Sequence, residues 1–287
     1  MNHQIFITIP LLHKLAEYLL HIYFLPKTFT SCSIRIPEDN ADDLSQDREY
    51  CFLKNYANGA DIKIGFHEYD KIYSIPGLYE QIFYDFLRCV SPQKICALLI
   101  DALKNDKRTL KSLCAFDLGA GNGIAGELLQ KQGIPRIYGL DIIPEAKAAA
   151  KRDRPNVYQK YYLGDLTHLR PLLREELISK EFNCMVSAGS LGFGDICVTA
   201  FQQGLNLLVD GAWVVFSIHS DFLTDNGGCG FCSFYHEIID SRLFDVLHRE
   251  SYCHRLSAKG TPIYYTAVLG KKLKNVPDSL VEEFINF

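Results

Sequence analysis

The apolar positions of this chain fall into two textures, one helical and one alternating. Near the start, Leu11, Leu12, Leu15, Tyr18, Leu19 and Ile22 recur at helical spacing, with Thr8 as a capping residue and Pro10 in the first turn. His13, Lys14, Glu17 and His21 interrupt the run, so residues 1–30 read as an amphipathic segment, too short and too charged for a membrane span. Residues 31–60 are polar and acidic around Pro37–Asp43 and read as a linker. Residues 61–110 read as a helical cap. Leu78, Ile82, Phe83 and Phe86 form one stripe, and Ser91-Pro92 opens a second helix carrying Ile95, Leu98, Leu99 and Ala102.

From residue 111 short apolar runs alternate with amphipathic stretches. Strands are expected at 113–116, 136–140, 156–163, 184–187 and 212–218, with helices at 124–132, 144–152, 171–179, 198–208 and 231–244. This repeat predicts an α/β domain with a doubly wound, mostly parallel sheet over residues 111–270. The runs 244–256 and 264–270 have only Ser-Ala-Lys-Gly-Thr-Pro between them, so they form a closing antiparallel hairpin of a seven-stranded sheet. Residues 271–287 read as a C-terminal tail.

Composition narrows the picture. The chain has 287 residues, is 48% hydrophobic and carries a net charge of −4. That is enough apolar material for one large domain with appendages, and no basic stripe marks it for nucleic acid. Most of its 10 cysteines lie in apolar runs and read as reduced core residues, which favours a cytoplasmic location. Cys229 and Cys232 form a lone CxxC without a second ligand pair, and no metal is expected.

The candidate chemistry lies in Phe116-Asp117-Leu118-Gly119-Ala120-Gly121-Asn122-Gly123-Ile124, a strand ending in an acid, then a glycine turn into a helix. Gly121, Gly123 and Gly126 also spell the dinucleotide GxGxxG pattern. Charge separates the two readings. A carboxylate just before the loop repels a pyrophosphate but suits a ligand bearing an ammonium and a sulfonium. Asp141 and Asp165 end the next two strands at the same interval, so three acids face one crevice.

These motifs resemble the class I S-adenosylmethionine-dependent methyltransferase family over about residues 110–270. The resemblance implies a Rossmann-like fold with S-adenosylmethionine as cofactor. The glycine loop (Asp117, Gly119, Ala120, Gly121, Asn122, Gly123) would hold its methionine part. Asp141 would hold the ribose, Asp165 with the Leu166 amide the adenine, and Ile142 would lie in the same cofactor site. Ser187 and Ala188, in the loop after the fourth strand, would lie where cofactor meets acceptor. No Asn/Asp-Pro-Pro-Tyr/Phe or Pro-Cys motif follows that strand, and it has no terminal acid, which argues against base N-methylation, cytosine C5 chemistry, metal-assisted catechol chemistry and aminopropyl transfer.

The expected activity is therefore methyl transfer to O, N or C of a small organic acceptor. A protein methyltransferase, a non-catalytic methyltransferase-like binding protein and an NAD-dependent enzyme are the alternatives. The acceptor pocket is expected from Tyr69, Tyr73, Tyr79, Leu191 and Phe193. In-line transfer is mainly a matter of positioning, assisted by a base if the acceptor carries a proton. His219, at the end of the fifth strand, is the first candidate base and His67 the second. His254, in the hairpin, reads as structural.

Overall fold

The computed structural model describes residues 32–36, 46–55, 61–104, 107–192, 195–224, 230–282 and 284. The amphipathic segment 1–30, Phe193 and Cys229 lie outside the described residues.

Among the described residues, seven strands form the large sheet: β4 (Cys114–Leu118), β5 (Arg136–Asp141), β6 (Lys160–Leu163), β7 (Phe182–Leu191), β8 (Leu208–His219), β9 (Phe244–Leu256) and β10 (Pro262–Lys272). Their order across the sheet is β6-β5-β4-β7-β8-β10-β9. β4 pairs in parallel with β5 and β7, β5 with β6, and β7 with β8. β10 runs antiparallel to both β8 and β9, so the expected hairpin closes the sheet. All of Cys114–Leu118 is buried, because helices cover both faces of a parallel sheet. The cores on the two faces centre on Phe116, Phe182 and Phe216 on one side and Ala115, Val186 and Val215 on the other.

The flanking helices include α3 (Ser91–Leu103), α5 (Ile124–Lys131), α6 (Pro144–Asp153), α7 (Pro171–Ile178), α8 (Val198–Asn206) and α9 (Phe231–Asp240). α4 (Lys107–Ser112) leads into β4. Strand order reverses at β4, which neighbours β5 on one side and β7 on the other, and a crevice opens at the carboxyl ends of these strands. No helix among the described residues is long and apolar enough to cross a membrane.

Residues 31–60 differ from the expected linker. They contain β1 (Cys32–Arg35) and β2 (Tyr50–Asn55), which join β3 (Asp61–Gly65) in an antiparallel three-stranded sheet. Cys51, Leu53 and Ile64 are buried at alternate positions and pack on Ile72, Leu78 and Ile82 of the cap. The acidic stretch at 37–43 hides this short alternation in the sequence. The cap thus begins with a strand, followed by α1 (Tyr69–Ser74) and α2 (Leu78–Glu80), which runs on as a π-helix over Gln81–Phe86. The tail also gains structure: α10 (Asp278–Glu282) buries Val281 in the main core, and Gln202 Nε2 donates to the Val276 carbonyl at 2.9 Å.

The cap covers the free edge of β9. Val90 N–H donates to the His254 carbonyl at 3.0 Å, and Leu256 N–H to the Leu87 carbonyl at 2.7 Å. A buried ion pair locks the joint: Arg255 Nη2 lies 2.6 Å from Glu49 Oε2, and Ala258 N–H donates to Glu49 Oε1 at 2.6 Å. Removing one member leaves the other charge buried alone. Glu49→Ala is expected to lose about 3–5 kcal/mol of stability, read as a lower denaturant midpoint in urea unfolding of the full chain.

Candidate functional site

The glycine loop turns its donors inward. Gly119 N–H and Ala120 N–H both donate to the Leu140 carbonyl, at 3.0 and 3.1 Å. Gly121 N–H donates to Asp141 Oδ2 at 2.9 Å, and Gly123 N–H to the Ala120 carbonyl at 2.9 Å. Asp117 is buried, accepts from the Tyr158 hydroxyl at 2.7 Å and is bonded by the Gly126 N–H in the first turn of α5. A diphosphate cradle needs free amides at a helix start, and this loop has bonded most of its own to the protein.

The burial of Asp117 changes the electrostatic reading made from the sequence. Desolvation lifts its carboxyl to about 7, against the lowering effect of the Tyr158 and Gly126 hydrogen bonds. It braces the loop from behind and does not line the crevice. The acid at the crevice wall is Asp141. Burial raises its pKa too, opposed by hydrogen bonds from the amides of Ile143, Gly121 and Ile142. A carboxylate has about four lone-pair sites, so Asp141 keeps acceptor capacity for a ligand.

The crevice has a volume of about 350 Å³. Among the residues singled out from sequence, Gly119, Asp141, Ile142, Asp165, Leu166, Ala188, Tyr69 and Tyr73 line it. Ile142 stands 57% exposed at its rim, an apolar surface left open on that side. Asp165 caps a short 3-10 turn, accepting from Thr167 Oγ1 at 2.7 Å and Thr167 N at 2.8 Å, and these bonds hold its carboxyl below the usual range. Ala120, Gly121, Asn122, Gly123, Ser187 and Leu191 stand outside the lining. Asn122 Nδ2 donates to Glu80 Oε1 at 2.8 Å, tying loop to cap, and the Ser187 hydroxyl pairs with that of Ser190 at 2.7 Å. Leu191 belongs to the main core.

A tyrosine layer roofs the crevice. Tyr69, Tyr73 and Tyr79 stack at centroid distances of 6.1 and 4.9 Å, and they pack on Ala146 and Ala149 of α6. Arg152 Nη1 donates to the Tyr73 carbonyl at 3.1 Å. Gly121 has φ +53°, and a Cβ there would lie 2.5 Å from the Tyr73 hydroxyl oxygen, so only glycine lets the roof close on the loop. Behind the loop, a Cβ on Gly126 would meet the Tyr158 ring at 2.7 Å. The Tyr161 hydroxyl donates to the Gly121 carbonyl at 2.7 Å.

A second, smaller cavity of about 30 Å³ adjoins the crevice under the cap. Tyr69, Tyr79, Ala188, Gly189 and Asp195 line both spaces. His67 reaches this shared wall, its Nδ1 lying 3.4 Å from Asp195 Oδ1. His254 also lines the cavity. Its Nδ1 sits 2.5 Å from the Ser91 hydroxyl, its ring stacks on Tyr265 at 3.9 Å, and burial drives its pKa well below the ordinary histidine value. His219 lines neither space. Its Nδ1 accepts from the Asp221 N–H at 3.3 Å and caps a short 3-10 turn, and burial lowers its pKa. Sequence reasoning missed the bracing Tyr158, and it marked Asp195 only as an acid just beyond the fourth parallel strand.

The Asp117 shift has a consequence for stability. The folded chain holds this proton up to about pH 7, whereas an unfolded carboxyl releases it near pH 4. The contribution of Asp117 to stability therefore falls as pH rises between these values, by at most about 1.4 kcal/mol per pH unit. His254 and His219, with lowered pKa values, act in the opposite direction, so in thermal melts from pH 5 to 7.5 Asp117→Asn is expected to show a more positive slope of Tm against pH than the parent chain.

Residues 116–216 match the family model described as a methyltransferase domain. No curated protein matches the sequence. Solved structures similar to the chain include the N-methyltransferase NodS from Bradyrhizobium japonicum WM9 in complex with S-adenosyl-L-homocysteine, at 12% identity and TM-score 0.48, covering 72% of this chain and 97% of that one. A TehB-like SAM-dependent methyltransferase from Corynebacterium glutamicum is 21% identical with TM-score 0.41, covering 62% and 86%. The magnesium protoporphyrin IX methyltransferase from Synechocystis PCC 6803 is 13% identical with TM-score 0.43, covering 63% and 79%. The family match runs from β4 into β8, the parallel part of the large sheet.

Proposed function

We propose that the protein transfers the methyl group of S-adenosylmethionine to a small organic acceptor held at the wall between the crevice and the small cavity beside it. The observation that carries this reading is the wall common to both spaces: Tyr69, Tyr79, Ala188, Gly189 and Asp195 face the crevice on one side and the cavity on the other. A roofed, aromatic-walled cavity suits a small molecule and excludes a folded polymer.

The residues of the crevice fit the cofactor. Its volume falls in the usual range for small-molecule sites. Asp141 accepts from a ribose hydroxyl, Asp165 from the adenine amine, and the Leu166 amide donates to the ring. Ile142 covers one face of the base. Gly119 and Ala188 flank the methionine portion. Asp117, Ala120, Gly121, Asn122, Gly123 and Ser187 act one step back, by shaping the loop and the strand ends. Bound there, S-adenosylmethionine supplies an electrophilic methyl group. The chain positions the acceptor, excludes water beneath the tyrosine roof, and offers the His67–Asp195 pair to take a proton.

Titration calorimetry with S-adenosylhomocysteine tests the cofactor residues. Asp141→Ala is expected to weaken binding about ten- to a hundredfold, the loss of charge-assisted hydrogen bonds. Gly121→Ala is expected to weaken it as well, by displacing Tyr73, while circular dichroism stays native. NADH binding at comparable affinity overturns the assignment. A screen for S-adenosylhomocysteine release is expected to score with small metabolites, and a response confined to proteins or RNA overturns the acceptor class.

A further inference from the structure

The stretch from Arg154 to Tyr161, running from the end of α6 into β6, holds the glycine loop from outside at three points. Arg154 Nη1 donates to the Asn122 carbonyl at 3.1 Å, the Tyr158 hydroxyl to Asp117 Oδ2 at 2.7 Å, and the Tyr161 hydroxyl to the Gly121 carbonyl at 2.7 Å. Tyr158 is the centre of this contact. A Cβ on Gly126 would lie 2.7 Å from its Cζ and from its hydroxyl oxygen, one on Gly123 3.0 Å from its Cε2, and one on Gly139 of β5 3.0 Å from its Cε1. The tip of the ring therefore sits in a socket of three glycines, with Gly123 and Gly139 at its two edges. The ring has little room to yield. Asp117 ties its hydroxyl, and the Tyr161 ring stands edge-on at a centroid distance of 5.2 Å.

Gly126 separates the need for space from the need for an unusual backbone. It lies in the first turns of α5, where alanine is ordinarily preferred to glycine. Room for the Tyr158 ring is what a side chain there would take away. Gly121, the remaining glycine of the GxGxxG spacing, faces the Tyr73 hydroxyl of the roof. Each glycine of that spacing thus meets a tyrosine, one from the cap and one from the α6–β6 connection. The spacing that spells a diphosphate cradle here accommodates aromatic rings. Of residues 119–123 only Gly119 lines the crevice, and Tyr158 stands outside the lining.

Resting on the reading of the crevice as the cofactor site, we propose that Tyr158 is a positioning residue for S-adenosylmethionine: its ring, seated on Gly123, Gly126 and Gly139, fixes the loop contour that the cofactor meets at Gly119. Tyr158 acts through the loop. Tyr73 bears on the loop from the cap, and Tyr158 supplies the opposing support. Without that support the ligand has to order the loop itself, which weakens binding.

Titration calorimetry with S-adenosylhomocysteine on the full chain compares the parent, Gly126→Ala, Tyr158→Leu, the double variant and Tyr158→Phe. Gly126→Ala and Tyr158→Leu are each expected to weaken binding about tenfold, and the double variant to bind within about twofold of Tyr158→Leu alone, because the added methyl then meets no ring. Tyr158→Phe keeps the ring and is expected to stay within about threefold of the parent. Parent-like affinity in Gly126→Ala or Tyr158→Leu overturns the proposal, even where Tm falls, since Tyr158 then only stabilises the fold. An equal loss from Gly126→Ala in both backgrounds also overturns it, because the glycine then answers to the ligand. Should Tyr158→Leu fail to fold, Gly126→Ala alone decides: about tenfold weaker binding supports the proposal and parent-like binding overturns it. Failure of the parent to bind S-adenosylhomocysteine overturns the crevice reading separately. Amide hydrogen exchange over residues 118–126 of the ligand-free chains then decides the support of the loop: faster exchange in Gly126→Ala than in the parent upholds it, and unchanged exchange overturns it.

Discussion

The glycine loop between β4 and α5 hydrogen-bonds to its own surroundings, and the site is arranged around that fact. Leu140 accepts from two of its amides, Asp141 from a third, and Asp117 takes the Gly126 amide of the helix that follows. A loop with unbonded amides at a helix start gathers anions. Here the positive end of α5 already meets a buried carboxyl group, so what remains toward the crevice is backbone contour and the acceptor capacity of Asp141. Such a surface suits a ligand with hydroxyl donors and positive charge. Burial also explains why Asp117 can stand there without opposing the loop: its raised pKa limits the negative charge held inside at neutral pH.

The roof depends on the same loop. Tyr73 reaches Gly121 only because no side chain intervenes, and the Arg152 contact fixes the backbone of α1 over α6. Asn122, Glu80 and Arg154 add a polar tie between loop and cap, with Arg154 Nη1 at 3.0 Å from Glu80 Oε1. The three-stranded sheet and the Glu49–Arg255 pair then hold the cap against the β9–β10 hairpin. The crevice and the small cavity are thus two rooms with one aromatic partition. The cavity exists only while the cap stays seated on the sheet edge.

Much of the sheet was legible from the chain. Parallel strands covered on both faces read as apolar runs, so β4, β5 and β7 stand out by composition, and the missing helix before β10 exposes the hairpin. Short strands beside charged loops did not stand out. β2 and β3 alternate over too few residues, and the acidic stretch before them dominates the local composition. His219 attracted notice because it ends a strand bordering the crevice, yet its ring turns toward Phe222 and Tyr265. The strand end was readable, and the direction of the side chain was not.

The amino-acid order by itself determined the alternation of strands and helices, the glycine turn, and the placing of acids at successive strand ends, because these follow from local periodicity and backbone sterics. Tertiary structure alone decided which acid faces the crevice. Tyr158, far along the chain from Asp117, buries that carboxylate and leaves Asp141 at the wall. It also decided that His67 meets Asp195 and that His254 lies under the cap, since such pairings arise only when distant segments pack, and no local pattern encodes the contact.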